Sequence, residues 1–223
     1  MAEKRKAFLV ICITRTVGAG GSFVGKRLAT RLGSRYLDRE LLVEAAQRLH
    51  KDSEALEAYD ERRLSFWERT RMGYAFGAAE VPYAPPTFQP DDQELFDKER
   101  EIMLEAAARG PVVVVGRAGF AVLRDEPGLL SVFLNAPVQA RAERVRKIYG
   151  LASLEEAKSM VIQSDRQRDK FIESVTGKGW RDPAYFHLCV DTYRLGTSTA
   201  IELVYNAAME VARKLAGPEE EAF

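Results

Sequence analysis

The stretch that most restricts the fold lies near the beginning of the chain. Ala7-Phe8-Leu9-Val10-Ile11-Cys12-Ile13 is a near-continuous apolar run, and it leads into the glycine-rich turn Gly18-Ala19-Gly20-Gly21-Ser22. A strand covered on both faces of a parallel sheet reads in this way, apolar without alternation. From Phe23 to Leu32 the apolar residues Val24, Leu28 and Leu32 recur on one helical face, and Gly33 supplies a stop. Strand, glycine turn and helix in that order are the first half of a βαβ unit.

The rest of the chain repeats the alternation. A short strand is predicted at Arg35-Tyr36-Leu37, followed by Asp38 and a helix running to about Leu49. A helix from about Glu94 to Arg109 is ended by Gly110-Pro111, and the four β-branched residues Val112 to Val115 give the strongest strand signal. Ser131-Val132-Phe133-Leu134 reads as a buried strand leading into a basic helix with Arg141, Arg144, Arg146 and Lys147. A long helix is expected from Ser153 to Glu173, with Ser153 and Glu156 spaced as a capping box. A strand over Phe186–Asp191 and a helix over about Thr197–Ala216 complete the pattern. Alternating strands and helices argue for an α/β fold, a doubly wound parallel sheet of about five strands with helices on both faces. Between Gly73 and Pro90 the period is lost in a mixture of aromatics, glycines and prolines, which reads either as a loop that covers a substrate or as one that binds a protein partner or a second copy.

Composition narrows the partners. Of 223 residues, 33 are Lys or Arg and 33 are Asp or Glu, so no global field draws the chain to nucleic acid or to an anionic membrane. An anionic ligand must therefore be held locally. The first apolar run is too short to span a bilayer and is not followed by a cleavage-site pattern, so a cytoplasmic location is expected. Cys12 and Cys189 lie in apolar runs with no metal-ligand spacing, and both are expected to be buried free thiols. His50 and His187 are expected to be structural.

In a doubly wound sheet, ligands bind beyond the carboxyl ends of the strands. The first group there is Thr14 to Ser22, whose glycines let backbone N–H groups converge while the following helix adds its positive end, a phosphate cradle in physical terms. A tight turn without ligand is the alternative. Gly20-x-x-x-x-Gly25-Lys26 matches the Walker A spacing, but the helical periodicity places Lys26 more than a turn inside the helix. Read instead from Gly18-Ala19-Gly20, the loop has Gly21 where a P-loop lysine belongs. Ser22 then offers a hydroxyl, and Arg15 or an arginine from a lid supplies positive charge. Asp38 either accepts a ribose or base hydrogen bond or caps the next helix. Arg117, at the mouth of the Val112–Val115 strand, is a candidate phosphate fork or a surface salt bridge. In Asp165-Arg166-Gln167-Arg168-Asp169-Lys170, Asp165 and Arg168 share a helix face, and the glycines at 177 and 179 beyond it suit either a phosphate-covering lid or a solvated charged helix.

The order of these motifs resembles the cytidylate kinase-like family, relatives of bacterial cytidylate kinase with a modified P-loop. The stretches that carry the resemblance are ITRTVGAGGSFVGKRLATRLG, YLDRELL, VVVVGRAGFAVL, VFLNAPVQARAERV and SDRQRDKFIESVTGKGWRDPAYFHLCVDTYRLG. The resemblance implies a P-loop kinase domain over 1–216, with an acceptor-binding insertion at about 38–95, a helical lid at about 162–183 and an acidic tail at 217–223. It implies ATP with magnesium as donor and a nucleoside monophosphate, CMP or dCMP, as acceptor, transferred directly and in line. Gly18, Ala19, Gly20, Gly21 and Ser22 would face the donor phosphates, Asp38, Arg117 and Asp165 the substrate, and Arg168, Arg166 and Arg15 the transferring group. The chain departs from the pattern at Ser22-Phe23, where the family has Arg then Glu, and departs from cytidylate kinase at Val115, Ala118 and Glu44. A nucleotide-binding regulator without turnover and a kinase for another small acceptor therefore stand as alternatives.

Overall fold

Burial of every residue from Val10 to Ile13 makes the first strand the centre of the sheet. The computed structural model describes residues 6–38, 90–177 and 179–217. Its strands are β1 (Val10–Arg15), β2 (Arg35–Leu37), β3 (Val112–Val115), β4 (Leu129–Asn135) and β5 (Leu188–Asp191), ordered β2-β3-β1-β4-β5. All neighbouring pairs are parallel. Among the described residues the helices are α1 (Gly21–Leu32), α2 (Pro90–Arg109), the short α3 (Gly119–Val122), α4 (Val138–Tyr149), α5 (Leu154–Thr176) and α6 (Gly196–Ala216).

The period of two along β1 divides the core. Ile11 and Ile13 meet Val24 and Leu28 of α1 and Ala200 and Val204 of α6, while Val10 and Cys12 meet Ile102 and Met103 of α2. Helices thus cover both faces, and the carboxyl ends of β1, β3 and β4 open at one edge. A third cluster joins α2, α3 and α5 through Phe96, Phe120, Ile172 and Trp180, with Phe133 stacked on Phe186 at 5.1 Å and edge-on to Trp180 at 5.6 Å. A fourth joins the α4–α5 hairpin to the glycine loop, because Val17 packs with Ala142, Val145, Ala157 and Val161.

Local signals explain the boundaries. Gly33 and Gly150 close α1 and α4 in the left-handed conformation. Ser153 caps α5, its hydroxyl accepting the Glu156 N–H at 3.0 Å, and the helix runs on to Thr176 before Gly177 ends it. β5 is shorter than the apolar run suggests. Pro183–Tyr185 forms a 3-10 turn, and Phe186 joins the aromatic cluster instead of the ladder. Cys12 is buried, and burial pushes its thiol well above the ordinary range. Cys189 is exposed, contrary to expectation, because β5 is the edge strand and its inward face is taken by Leu188 and Val190. His187 accepts the Ser131 N–H at Nδ1, 3.1 Å, tying the starts of β4 and β5. The helix after Asp38, His50, Glu44 and the 73–90 segment lie outside the described residues, apart from Pro90 at the start of α2.

Gly25 is a contact glycine between α1 and β3. A Cβ there would lie 2.6 Å from Val115 Cγ2 and 3.2 Å from the Tyr36 ring. The neighbouring Lys26 is exposed on α1, six residues into the helix count that starts at Gly21. Gly25→Val should therefore lose about 3 kcal/mol by overpacking. Lys26→Ala should stay within about 0.5 kcal/mol of the parent. Urea denaturation of the two variants checks both values.

Candidate functional site

The loop from Thr16 to Gly20 is held from outside by its carbonyl groups. Arg141 Nη1 donates to the Val17 carbonyl at 3.1 Å, Arg144 Nη1 to that of Gly18 at 2.9 Å, and Thr192 Oγ1 to that of Ala19 at 2.8 Å. Arg168 Nη1 donates to the Arg15 carbonyl at 3.0 Å. In a planar trans peptide the N–H points away from the C=O. Pinning the carbonyls of Val17 and Ala19 therefore turns the N–H groups of Gly18 and Gly20 to the other side. Gly18 and Gly20 adopt φ of 78° and 84°, which residues with a Cβ resist. The leading N–H groups of α1 lack intrahelical acceptors, and no side chain caps that end. Convergent N–H groups at a helix start form an anion-binding concavity.

Asp165 ties this arrangement together. Its carboxylate lies 2.9 Å from Arg141 Nη1 and accepts the Val17 N–H at 3.4 Å, and Arg181 approaches at 3.6 Å. Arg141 and Asp165 are 4% and 7% exposed, so neither charge is stable there without the other. Burial lowers the Arg141 pKa while Asp165 opposes the fall. Asp169 accepts from Trp180 Nε1 and pairs with Arg181 at 3.4 Å; burial, the largest influence, raises its pKa. Thr16 Oγ1 is buried and has no hydrogen-bond partner.

A second cluster forms where β1, β2 and β3 end. Arg15 Nη2 lies 3.3 Å from Asp38 Oδ1, and Tyr36 donates to Asp38 Oδ2 at 3.0 Å or to the Ser22 carbonyl at 3.2 Å. Arg117 is paired with Glu99 of α2, its Nε at 2.7 Å and Nη2 at 2.6 Å from the same oxygen, and its guanidinium lies over the Phe171 ring. Gly116, Arg117 and Ala118 all have positive φ, at 82°, 53° and 54°. Two consecutive non-glycine residues in this region are costly and persist only where their surroundings fix them.

Of the residues singled out from sequence, the structure brings Gly18 to Ser22, Arg15, Asp165 and Arg168 together around the loop, with Asp38 reaching Arg15. Arg117 stands at the end of β3 against α2, and Arg166 is exposed on α5. Sequence reasoning had Arg141 and Arg144 only as part of a basic helix, and did not single out Thr192, Glu99 or Tyr36. A cavity of about 300 Å³ opens beside Gly18, lined by Arg144, Lys147 and the exposed Tyr193. Among the described residues no three His, Cys, Asp or Glu side chains gather to hold a metal, and no helix is long and apolar enough to cross a membrane.

The sequence model of the cytidylate kinase-like family matches residues 10–194. The chain belongs to that family. A cytidylate kinase of Rhodococcus opacus (strain B4) is 26% identical over 223 residues, covering 86% of this chain and 91% of that protein. A cytidylate kinase of Thermococcus sibiricus is 32% identical over 110 residues, and one of Pyrococcus horikoshii 35% over 98 residues. These two matches cover 48% and 42% of this chain, and 55% and 49% of the archaeal enzymes, about half their length. Among solved structures, an uncharacterized protein from Eubacterium ventriosum has a TM-score of 0.66 at 19% identity, over 90% of this chain and 98% of that one. A gluconokinase from Sinorhizobium meliloti gives 0.50 at 17% identity, over 96% and 95%. At such identities the shared property is the fold.

Removing one member of the Arg141–Asp165 pair should strand the other in the interior. Arg141→Met is expected to cost about 3 kcal/mol. Arg141→Met with Asp165→Leu should cost less than the single change. A double-mutant cycle in urea, read by circular dichroism, gives the coupling directly.

Proposed function

We propose that this member of the family is a nucleoside-monophosphate kinase, moving the γ-phosphoryl group of ATP to a nucleoside monophosphate, with CMP or dCMP as acceptor. The observation that carries the reading is the set of donors on the loop carbonyls beside the uncapped start of α1, an arrangement suited to an anion. ATP suits that site on two counts. Its phosphates match the amides of Gly18, Gly20, Gly21 and Ser22, and its nucleoside has room in the cavity between Gly18, Arg144 and Tyr193. Magnesium comes with the nucleotide, and Ser22 is the hydroxyl on the first turn of α1 suited to meet it.

Phosphoryl transfer asks the protein for position and charge neutralisation more than for covalent chemistry. Arg15 and Arg168 are within reach of the loop, and Arg166 would have to be turned inward from its exposed place on α5. Arg117 and Asp38, at the ends of β3 and β2, form the acceptor side. The strained Gly116-Arg117-Ala118 backbone supports that assignment, because it fixes the arginine at the strand mouth. The pairing of Arg117 with Glu99 leaves its fork engaged, so an acceptor phosphate would have to share it.

A second reading, a nucleotide-binding regulator without turnover, is favoured by one feature, the glycine at position 21 where a P-loop lysine belongs. ADP release from ATP and magnesium, measured against AMP, CMP, GMP and UMP, separates the two. Release with CMP above the other three is the expected result. No release with any acceptor, together with a rise in melting temperature on adding ATP, would instead establish the regulator. In the active protein, Arg117→Ala and Arg168→Ala should each lower kcat/KM tenfold or more, or at least about 1.4 kcal/mol of transition-state stabilisation. Unchanged kinetics in both would remove their assigned roles.

A further inference from the structure

The loop from residue 15 to residue 22 reads Arg-Thr-Val-Gly-Ala-Gly-Gly-Ser. Set against Gly-x-x-x-x-Gly-Lys-Ser/Thr, it keeps the second glycine at Gly20 and the hydroxyl at Ser22. It departs at two places only, with arginine for the first glycine and glycine for the lysine. In the folded chain these two departures touch. A Cβ built on Gly21 would lie 2.6 Å from Arg15 Cγ, 2.8 Å from its Cβ and 3.1 Å from its Cδ, all too close. The stem of Arg15 therefore fills the space in which a side chain at position 21 would begin. Its far end passes Gly116, where a Cβ would overlap Nη1, and stops 3.3 Å from Asp38.

We propose that the two departures are one exchange: the cation that a P-loop draws from its lysine is delivered here by Arg15, from the end of β1, and Gly21 is glycine so that the arginine stem can cross the first turn of α1. The inference rests on the site binding nucleotide phosphates, as above. Three observations give Arg15 this role in preference to other nearby cations. Lys26 is exposed and more than a turn along α1. Arg117 gives two donors to one oxygen of buried Glu99, whereas among the described residues Arg15 meets a carboxylate through a single 3.3 Å contact, with Asp38. Arg141, Arg144 and Arg168 each already give a donor to a loop carbonyl. A guanidinium also differs from an ammonium in kind, being a planar fork suited to two phosphate oxygens at once. The ligand class is a nucleoside triphosphate or diphosphate, in which adjacent phosphates present such a pair.

The test is a set of substitutions read by calorimetric titration with magnesium-ATP, with adenosine as the phosphate-free control, and by thermal melting. Arg15→Met retains a stem over Gly21 and removes the charge. It should weaken ATP at least tenfold and leave adenosine unchanged, while Arg15→Lys, which keeps the charge and loses the fork, should fall between the parent and Arg15→Met. Gly21→Lys alone places two side chains in one space and should lower both melting temperature and ATP affinity. Arg15→Gly with Gly21→Lys should recover most of both losses, with ATP within threefold of the parent. An Arg15→Met protein that binds ATP as the parent does overturns the phosphate role of Arg15. A folded double variant no better than Gly21→Lys in either measurement overturns the exchange. A parent protein that binds no ATP overturns the nucleotide reading itself, and is thereby distinguished from a bound parent whose variants fail to trade charge.

Discussion

The site depends on which way four peptide groups face. A glycine-rich turn between strand and helix is conformationally permissive, so its sequence alone leaves the carbonyls free to point either way. Here Arg141, Arg144, Arg168 and Thr192 donate to them. Three of these four donors come from the α4–α5 hairpin, where Arg141 and Asp165 pair with each other and bind the carbonyl and the N–H of Val17, tying the hairpin's polar face to the loop. A buried pair is seldom a net source of stability, since desolvation offsets much of the attraction. Its geometric effect is on the loop, since Arg141 and Asp165 together engage both the carbonyl and the N–H of Val17.

Much of the architecture was legible because the strongest signals were local. The run ending at Ile13, the four valines at 112–115 and the glycines at 33 and 150 each state a strand or a stop within a few residues, and the structure follows them. Ser153 announced its helix by a spacing of three. Legibility failed where an apolar residue had a choice of partners. Phe186 looked like the start of a strand but joins Phe133 and Phe120, and Cys189 looked buried because apolar flanks do not reveal that its strand lies at the sheet edge. In the site, sequence named the loop and the Asp165–Arg168 face, but not what they grip. The partners of Arg141, Arg144 and Arg168 are backbone carbonyls more than a hundred positions away, and a carbonyl has no residue identity to read.

Charge in this site is distributed among arginines of different standing. Arg141, Arg144 and Arg168 hold loop carbonyls, Arg117 is matched with a carboxylate in the interior, and Arg15 reaches across the start of α1 toward Asp38. The net neutrality of the chain fits such an arrangement, because each cation is placed for a short-range task and none needs support from a long-range field. The loop itself differs from the P-loop pattern at Arg15 and Gly21, two positions that touch in the folded chain.

Val17 belongs at once to the glycine loop and to the apolar seam between α4 and α5. Those helices consequently have no independent pivot at their base: rocking them levers Val17, and Val17 carries the neighbouring amides with it. Mechanical load applied at the outer end of the hairpin is thus delivered to the glycine loop.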